Sequence, residues 1–529
     1  MEEQLFEATR AGSKRNDAGP SRGGGEMQST TGATSLKLLL DTNAFIALEP
    51  TSTAVERGLE FGAELARLAA EGGHRLYLHE ATRRDFARDH DLARRSAHLA
   101  LAAKYPALSG IPKSALADLL TRLDLPAPPL SESNDAVDLE MLAAVGAAAV
   151  DYLVTDDARL RGRARRTGLA ENVLPLAEAV QLLRDLSPRP LKPPPAVEHV
   201  LSYQLDPHDP IFDSLRDDYP GFDAWFAGVR RAHRPAWIIR HDDGRYAGVM
   251  LVKEETDTPY GLPGRLLKVS TLKVTDEAHG RRYGELLLKT LFNHAEHHSH
   301  DAIYVTVFER HATLVDLLTA FGFRDHGRSP VGELVLAKGR RPSVQDAALD
   351  PLKFHTTFGP PAIDTRAPFF VVPVEPRWHD VLFPDYPGQL SLLTGEHPYG
   401  NALRKAYLCN APTRRVAPGS TLLFYRSRER SAVTVAGVVE DVHVSHLPEE
   451  VARYVGRRTV YTLEDITRLC RSARPVLTLL FRQDRLLEPA WSRGELKTAG
   501  VLNGHPQSIT EVCNEEGRHW LQERLNEQR

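Results

Sequence analysis

Residues 266–292 read LLKVSTLKVTDEAHGRRYGELLLKTLF. The run LLKVSTLKV predicts a strand, a Gly/Arg turn interrupts it, and apolar residues at three- and four-residue spacing then predict a long amphipathic helix. At such a helix start the first backbone N–H groups point outward and the dipole favours anions, so a pyrophosphate fits there. Gly284 allows close backbone approach, and Arg281 and Arg282 can add charge-assisted hydrogen bonds. Upstream, PAWIIRHDDGRYAGVMLVKEE (235–255) predicts two strands around an Asp-Asp-Gly turn. Downstream come a strand, AIYVTVF (302–308), and a helix, HATLVDLLTAFGF (311–323).

This order resembles the GNAT acetyltransferase family over about 200–330. The resemblance implies a mixed sheet with helices, acetyl-CoA as co-substrate, and cofactor contacts from Leu272, Val274, Gly280, Arg281, Arg282 and Gly284. The family's loop pattern is Arg/Gln-x-x-Gly-x-Gly/Ala; Arg281 and Gly284 match it, and Leu286 replaces the last small residue. Where the family often places a general-acid tyrosine, four residues before the Gly-Phe pair, this chain has Leu318. Tyr283 or Tyr304 would have to substitute by geometry. Glu309, just after AIYVTVF, is the candidate general base, its plainer alternative being an exposed charge at a strand end.

An earlier block begins with LKLLLDTNAFIALEP (36–50). LKLLL and YLVT predict buried strands, while TAVERGLEFGAELARLAAEG (53–72) and DLEMLAAVGAAA (138–149) predict helices, together an α/β sandwich with a parallel sheet. Asp41 ends the first strand, Asp85 follows RLYLH, Asp138 opens an apolar helix and Asp157 follows YLVT. In a parallel sheet the strand carboxyl ends and the following helix starts share one edge. Four carboxylates there repel one another unless a cation neutralises them, and hard oxygen ligands suit Mg2+ or Mn2+. Such a site can activate water and stabilise an in-line phosphodiester displacement. Asp41 and Asp138 would equally serve as helix N-caps.

The order D-T-N, D, D, (T-D)-D resembles the PIN-domain ribonuclease family over about 36–170. It implies catalytic roles for Asp41, Asp85, Asp138 and Asp157, with Asp41, Asp138 and Asp157 as metal ligands; Glu80 competes with Asp85, and Asp156 with Asp157. Behind them ARLRGRARR places Arg159, Arg161, Arg163, Arg165 and Arg166, either a solvated helix face or a grip on an RNA backbone. NHAEHHSH (293–300) sets His294 and His298 at helical spacing but has no Cys nearby, and HEATR (79–83) departs from the HExxH zinc motif at Arg83, so neither is expected to hold a metal.

In the last block PFFVVPV, STLLFYRS, AVTVAGVVEDVHV and PVLTLLF predict a small, mostly-β barrel with flanking helices. Arg426, Arg428 and Arg430 crowd a hairpin near Phe424 and Tyr425. Aromatics interleaved with arginine can stack bases and hold phosphates, although strand alternation sends one of the two rings to the core. The block resembles the PUA-like barrels, the ASCH group in particular, which implies a link to RNA. GNALRKAYL (400–408) departs from that group's Gly-x-Lys-x-x-Glu-x-Arg signature.

Length and composition frame these pieces. At roughly 150 residues per domain, 529 residues predict about three to four domains. With 42% hydrophobic and 26% charged residues the chain is of average globular usage, which excludes a largely disordered one. A net charge of -4 leaves no global basic field, so nucleic acid would have to meet local patches. The 53 arginines against 13 lysines run along the whole chain and read as coding bias. Three distant cysteines without a CxxC pair argue against a disulfide framework or structural zinc. No signal-peptide core and no 18-residue apolar run is visible, so the expected location is cytoplasmic, with no membrane partner.

The expectation is therefore a multidomain α/β and α+β protein. It comprises a disordered tail (1–35), a PIN-like domain (36–186), a Pro-rich linker (187–197), a GNAT-like acetyltransferase domain (198–338), a second linker (339–351) and a PUA-like/ASCH-like domain (352–529). The expected function joins acetyl-CoA-dependent N-acyl transfer to a Mg2+- or Mn2+-dependent ribonuclease and an RNA-binding barrel, acting on tRNA-like or other structured RNA or an RNA-associated substrate. Oligomerisation would run through the PIN-like block. Two other classes stand beside it: a small-molecule or protein acetyltransferase whose first block is a scaffold, and a non-catalytic RNA-binding regulator.

Overall fold

The structure, a computed structural model, describes residues 35–50, 59–87, 90–110, 112–126, 129, 133–187, 196–257, 260–278, 281–386, 400–428 and 430–527. Nearly all of the expected tail, residues 188–195 of the Pro-rich linker, and Gly280 lie outside the described residues.

The all-apolar run after Lys37 becomes a central parallel strand, which needs apolar side chains on both faces. β1 (Lys37–Leu40) lies between β2 (Arg75–His79) and β4 (Tyr152–Val154), with Leu39 opposite both Tyr77 and Leu153. β3 (Ala107–Leu108) and β5 (Val173–Leu174) complete a five-stranded sheet of order β3-β2-β1-β4-β5, parallel throughout.

The second sheet has seven strands. β6 (Glu198–Leu201), β7 (Pro235–Arg240), β8 (Tyr246–Glu255), β9 (Leu266–Val274), β10 (Ala302–Val307), β11 (Arg324–Arg328) and β12 (Leu334–Gly339) take the order β11-β12-β10-β9-β8-β7-β6. Every pairing is antiparallel except β9 with β10. That parallel pair needs a crossover, supplied by the helix Tyr283–His297, whose Leu287, Leu288 and Leu291 are buried against the sheet.

The third sheet corrects an expectation. β13 (Phe369–Val374), β14 (Arg404–Cys409), β15 (Thr421–Arg426), β16 (Ala432–Ser445), β17 (Val476–Ser492) and β18 (Thr510–Glu511) run in the order β14-β17-β16-β15-β13-β18, with distinct edge strands. Among the described residues there is no closed barrel. The long pair β16–β17 instead shifts register three times along its length, which bends the sheet without joining its edges. Both faces are covered: Phe424 packs into one core with Phe383 and Phe481, and Tyr425 into another with Trp491. Neither ring of the expected base-stacking hairpin is on the surface, and Arg426 is buried against Asp380.

The three blocks share cores. Leu38, Leu40 and Phe45 of the first sheet belong to one apolar cluster with Phe370, Phe424 and Phe481 of the third. Leu403 of the third block packs into the core of the second. Lys338 at the end of β12 is buried and donates to the carbonyls of Thr356 and Thr357, each at 2.9 Å. Gly322 has φ +83°, and a Cβ there would stand 2.0 Å from the Thr356 carbonyl oxygen, so only glycine fits this contact.

At the meeting point of all three blocks, the carboxylate of Glu440, 16% exposed, accepts from Arg404 (2.6 Å), Arg458 (2.8 Å) and Arg482 (3.1 Å). Burial alone would raise its pKa, yet the three guanidinium groups hold it far below the ordinary carboxylate range. Arg404 and Arg458 also reach Glu171 of the first block, and Arg482 donates to the Ala320 carbonyl of the second at 2.9 Å. Among the described residues no helix is long and apolar enough to cross a membrane.

Candidate active site

β9 and β10 pair from Leu266–Ala302 only as far as Val269–Val305. β9 then runs on to Val274 held by β8, whose register shows why the partners separate: Leu251 faces Thr271 and Val252 faces Val269, which leaves Ser270 as an extra residue. A bulge bends its strand and ends local pairing. Beyond it the backbone groups of β9 that faced β10 lose their ladder partners, and a cleft of about 1540 Å³ opens. Ser270, Thr271 and Thr306 line the divergence, and the Ser270 hydroxyl is buried with no hydrogen-bond partner among the described residues.

The bulge also inverts the side-chain alternation, so Leu272 and Val274 pack toward the Tyr283–His297 helix while lining the cleft. Arg282 stands at the N-cap of that helix in a left-handed conformation (φ 60°) and lies 3.3 Å from Glu285; both line the cleft. Arg281 reaches the Tyr283 hydroxyl at 3.4 Å. Gly284 lines the cleft as well, but a Cβ there would meet Leu317 Cδ2 at 2.9 Å, so its small size serves helix–helix contact. The start of the helix is braced from the third block: Glu285 accepts from the backbone N–H of Leu403 at 2.9 Å.

Glu309 is placed elsewhere. Its side chain is 67% exposed and pairs with Arg328 at 2.6 Å, outside the cleft lining. Leu318 is fully buried in the core. The Tyr304 hydroxyl donates to Glu255, whose carboxyl is held below its ordinary value: burial opposes this, and Lys253 and Tyr304 outweigh it. Glu255 lines the cleft, and so do further proton-handling groups that carried no motif in the sequence. Tyr219 donates to Glu333 at 2.8 Å, and burial first, then that carboxylate, pushes the phenol pKa up. His311 Nε2 lies 3.0 Å from Asp218.

One wall of the cleft comes from the first block. Arg161 and Arg165, of the helix Ala158–Arg166, line it, and Arg165 pairs with Asp316 of the helix Ala312–Ala320. The arginine run is therefore only partly a solvated face: Arg163 pairs with Asp135 and Asp138, and Arg166 donates to the Leu123 carbonyl.

The acids of the first block do gather at the carboxyl edge of the sheet. Asp41 is buried, accepts from the Thr155 hydroxyl at 2.6 Å and from the Thr42 N–H at 2.6 Å, and caps a helix. Asp85 accepts from the Thr42 hydroxyl at 2.9 Å, and Asp157 caps the Ala158–Arg166 helix. Burial raises the Asp41 pKa, and the charges of Asp157 and Asp85 add to it. Asp138 is pushed up to about 7 by burial, with Asp41 and Asp157 adding, against the lowering pull of Arg163. Protein donors thus occupy Asp41, Asp138 and Asp157, and among the described residues no three His, Cys, Asp or Glu side chains are arranged to hold a metal ion. The set as it stands does not fit Mg2+ or Mn2+. Of the alternative acids, Asp156 Oδ1 accepts from the Leu176 N–H at 3.1 Å, and Glu80 opens the helix Glu80–Ala87.

Residues 198–323 match the Acetyltransferase (GNAT) family. The middle block carries a GNAT acetyltransferase domain. No curated protein matches the chain. Among solved structures, a GNAT-family acetyltransferase of Staphylococcus aureus Mu50 is 11% identical, over 28% of this chain and 100% of its own, at a TM-score of 0.22. The IAA acetyltransferase of Bacillus cereus is 15% identical, over 27% and 97%, at 0.21. An ASCH protein of Zymomonas mobilis is 14% identical, over 30% and 96%, at 0.23.

Proposed function

We propose that the protein transfers an acetyl group from acetyl-CoA to an amine, in the cleft where β9 and β10 part. The observation that carries this reading is the bulge at Ser270, which frees the edge of β9 directly ahead of the Arg282-capped helix. The residues fit the co-substrate: an unpaired strand edge to take an extended amide-bearing chain, and arginines at the helix start to take phosphates. When bound, acetyl-CoA supplies an activated thioester carbonyl. The chain's own part is to hold that carbonyl at the divergence, exclude water behind Leu272 and Val274, and accept the proton the amine loses. Glu333 and the His311–Asp218 pair line the cleft and are able to take that proton, as is Glu255 beside the Tyr304 hydroxyl. Titration calorimetry of the whole chain with acetyl-CoA, followed by thiol-release assays over a panel of amines, tests the reading. Absence of acetyl-CoA binding would refute it.

A second reading concerns the acidic edge. Burial first, then neighbouring carboxylates (Asp157 and Asp85 at Asp41, Asp41 and Asp157 at Asp138) raises the pKa of both acids, which favours a site that gains by taking up positive charge, as a PIN-type ribonuclease would. It requires Asp41, Asp138 and Asp157 to leave their present donors, with Asp85 completing the edge. Structured RNA with Mn2+ is the assay: cleavage by the wild type that Asp41→Asn abolishes supports this reading, and no cleavage by the wild type removes it. The first block then stands as a scaffold for acetyl transfer.

A further inference from the structure

We propose that the first block contributes directly to the acetyl-CoA site, with Arg161 binding the nucleotide phosphates and the Arg165–Asp316 ion pair positioning it. This rests on the acetyl-CoA reading of the cleft. Leu160 and Ala164 are the buried residues of the helix Ala158–Arg166, so Arg161 and Arg165, one turn apart, share the neighbouring face. Asp316 fixes Arg165 to the helix Ala312–Ala320. The next residue of that helix, Leu317, is the one a Cβ on Gly284 would strike. The arginine pair therefore flanks the start of the helix Tyr283–His297, where backbone N–H groups are unspent.

Hydrogen bonding divides the two arginines. Asp316 accepts the hydrogen bond of Arg165 and stands within electrostatic reach of Arg161, from which it accepts none among the described residues. Arg161 lines the cleft, and its Nε is buried with no hydrogen-bond partner among the described residues. A buried guanidinium donor without a partner is costly, and a phosphate oxygen is the acceptor whose geometry and charge suit it. Arg282, paired with Glu285, and Arg404, paired with Glu440, line the same cleft from the second and third blocks, so arginines of all three meet there. The cleft thus offers hydroxyls and apolar side chains at the strand divergence and cations at the helix start. A molecule with a compact acyl thioester at one end and phosphates at the other matches that polarity.

The test uses the whole chain and titration calorimetry with acetyl-CoA and 3′-dephospho-acetyl-CoA, on wild type, Arg161→Gln and Arg161→Lys. Loss of one charge-assisted contact should weaken acetyl-CoA binding by roughly tenfold to a hundredfold in Arg161→Gln, with the unliganded melting temperature unchanged. Arg161→Lys, which keeps the charge, should recover part of the affinity. If wild type discriminates between the two ligands and Arg161→Gln does not, the side chain reads the 3′-phosphate; an equal loss for both assigns it to the diphosphate. Arg161→Gln binding acetyl-CoA as wild type does would overturn the inference while leaving the acetyltransferase reading intact. A wild type that binds neither ligand overturns that reading itself.

Discussion

Replacing Glu440 by glutamine keeps the volume and removes the one negative charge shared by the guanidinium groups of the buried Arg458 and Arg482 and the partly buried Arg404. Arg404 and Arg458 would retain only Glu171 at 3.2 and 3.1 Å, a half-exposed partner, and Arg482 would keep the Ala320 carbonyl. Breaking a buried ion pair from one side costs about 3–5 kcal/mol, because the remaining charges stay buried and now repel. Glutamine's amide oxygen still accepts one hydrogen bond, which places the expected loss near the lower bound, about 3 kcal/mol. At roughly 2–4 °C per kcal/mol for the unfolding of a block of about 180 residues such as the third, the melting temperature of that transition should fall by about 6–12 °C. Differential scanning fluorimetry of the whole chain at pH 7.5 measures this, with Glu71→Gln in the exposed Arg67–Glu71 pair as a control expected to change little. The sign with pH is fixed as well. The folded pKa of Glu440 lies below its ordinary 4.5, so its contribution is complete above pH 4.5 and is lost as pH falls toward the folded value. The gap between wild type and Glu440→Gln should be constant from pH 8 to about 5 and close below about 4.5. A gap under about 2 °C at pH 7.5 would show that the arginines find other partners and that the electrostatic account of this junction is mistaken.

Gly322→Ala should destabilise the whole chain by at least about 1–3 kcal/mol, read as a lowered denaturation midpoint, because the backbone is left-handed there and the Thr356 carbonyl occupies the Cβ position. Asp138 holds its proton up to about pH 7 when folded but only to its ordinary 3.8 when unfolded, so it subtracts stability as pH rises through that window. The melting temperature of wild type relative to Asp138→Asn should therefore fall between pH 4 and 7 and level off above; a flat difference would contradict this. For acetyl transfer, Glu309→Gln should leave kcat/KM within about twofold, whereas Glu333→Gln should lower kcat by about tenfold or more in a thiol-release assay.

Local periodicity made much of the architecture legible. The strand–turn–helix of 266–292 and the Asp-Asp-Gly hairpin are encoded by neighbours in sequence, and the parallel sheet of the first block follows from its short apolar runs. The gathering of Asp41, Asp85, Asp138 and Asp157 at one edge was equally legible, because strand ends and helix starts share an edge in any parallel sheet. Which donors would claim those carboxylates was not, since Thr155 and Asp41 lie 114 positions apart. The cleft was only half legible. Ser270-Thr271 within an apolar strand hinted at the bulge, but nothing in 158–166 announces that Arg161 faces a site in another block. Glu309 illustrates the limit: its position after a strand is visible in sequence, and its outward direction beside Arg328 is not. The Arg-aromatic hairpin of 424–430 misleads for the opposite reason. Alternation along β15 places one ring inward, and only the layers on the other face of the sheet bury the second.

The apolar cluster that unites Leu38, Leu40 and Phe45 with Phe370, Phe424 and Phe481 has a consequence for the chain's birth. A ribosome delivers the first sheet hundreds of residues before the side chains that complete its core, so the nascent chain carries an open apolar face through most of its synthesis. Contacts of such long sequence separation form slowly and leave intermediates exposed to aggregation. Chaperone demand should therefore fall on the period before β17 leaves the exit tunnel, and a truncation that removes β15–β17 should drive the first sheet into insoluble material rather than release it as a free-standing piece.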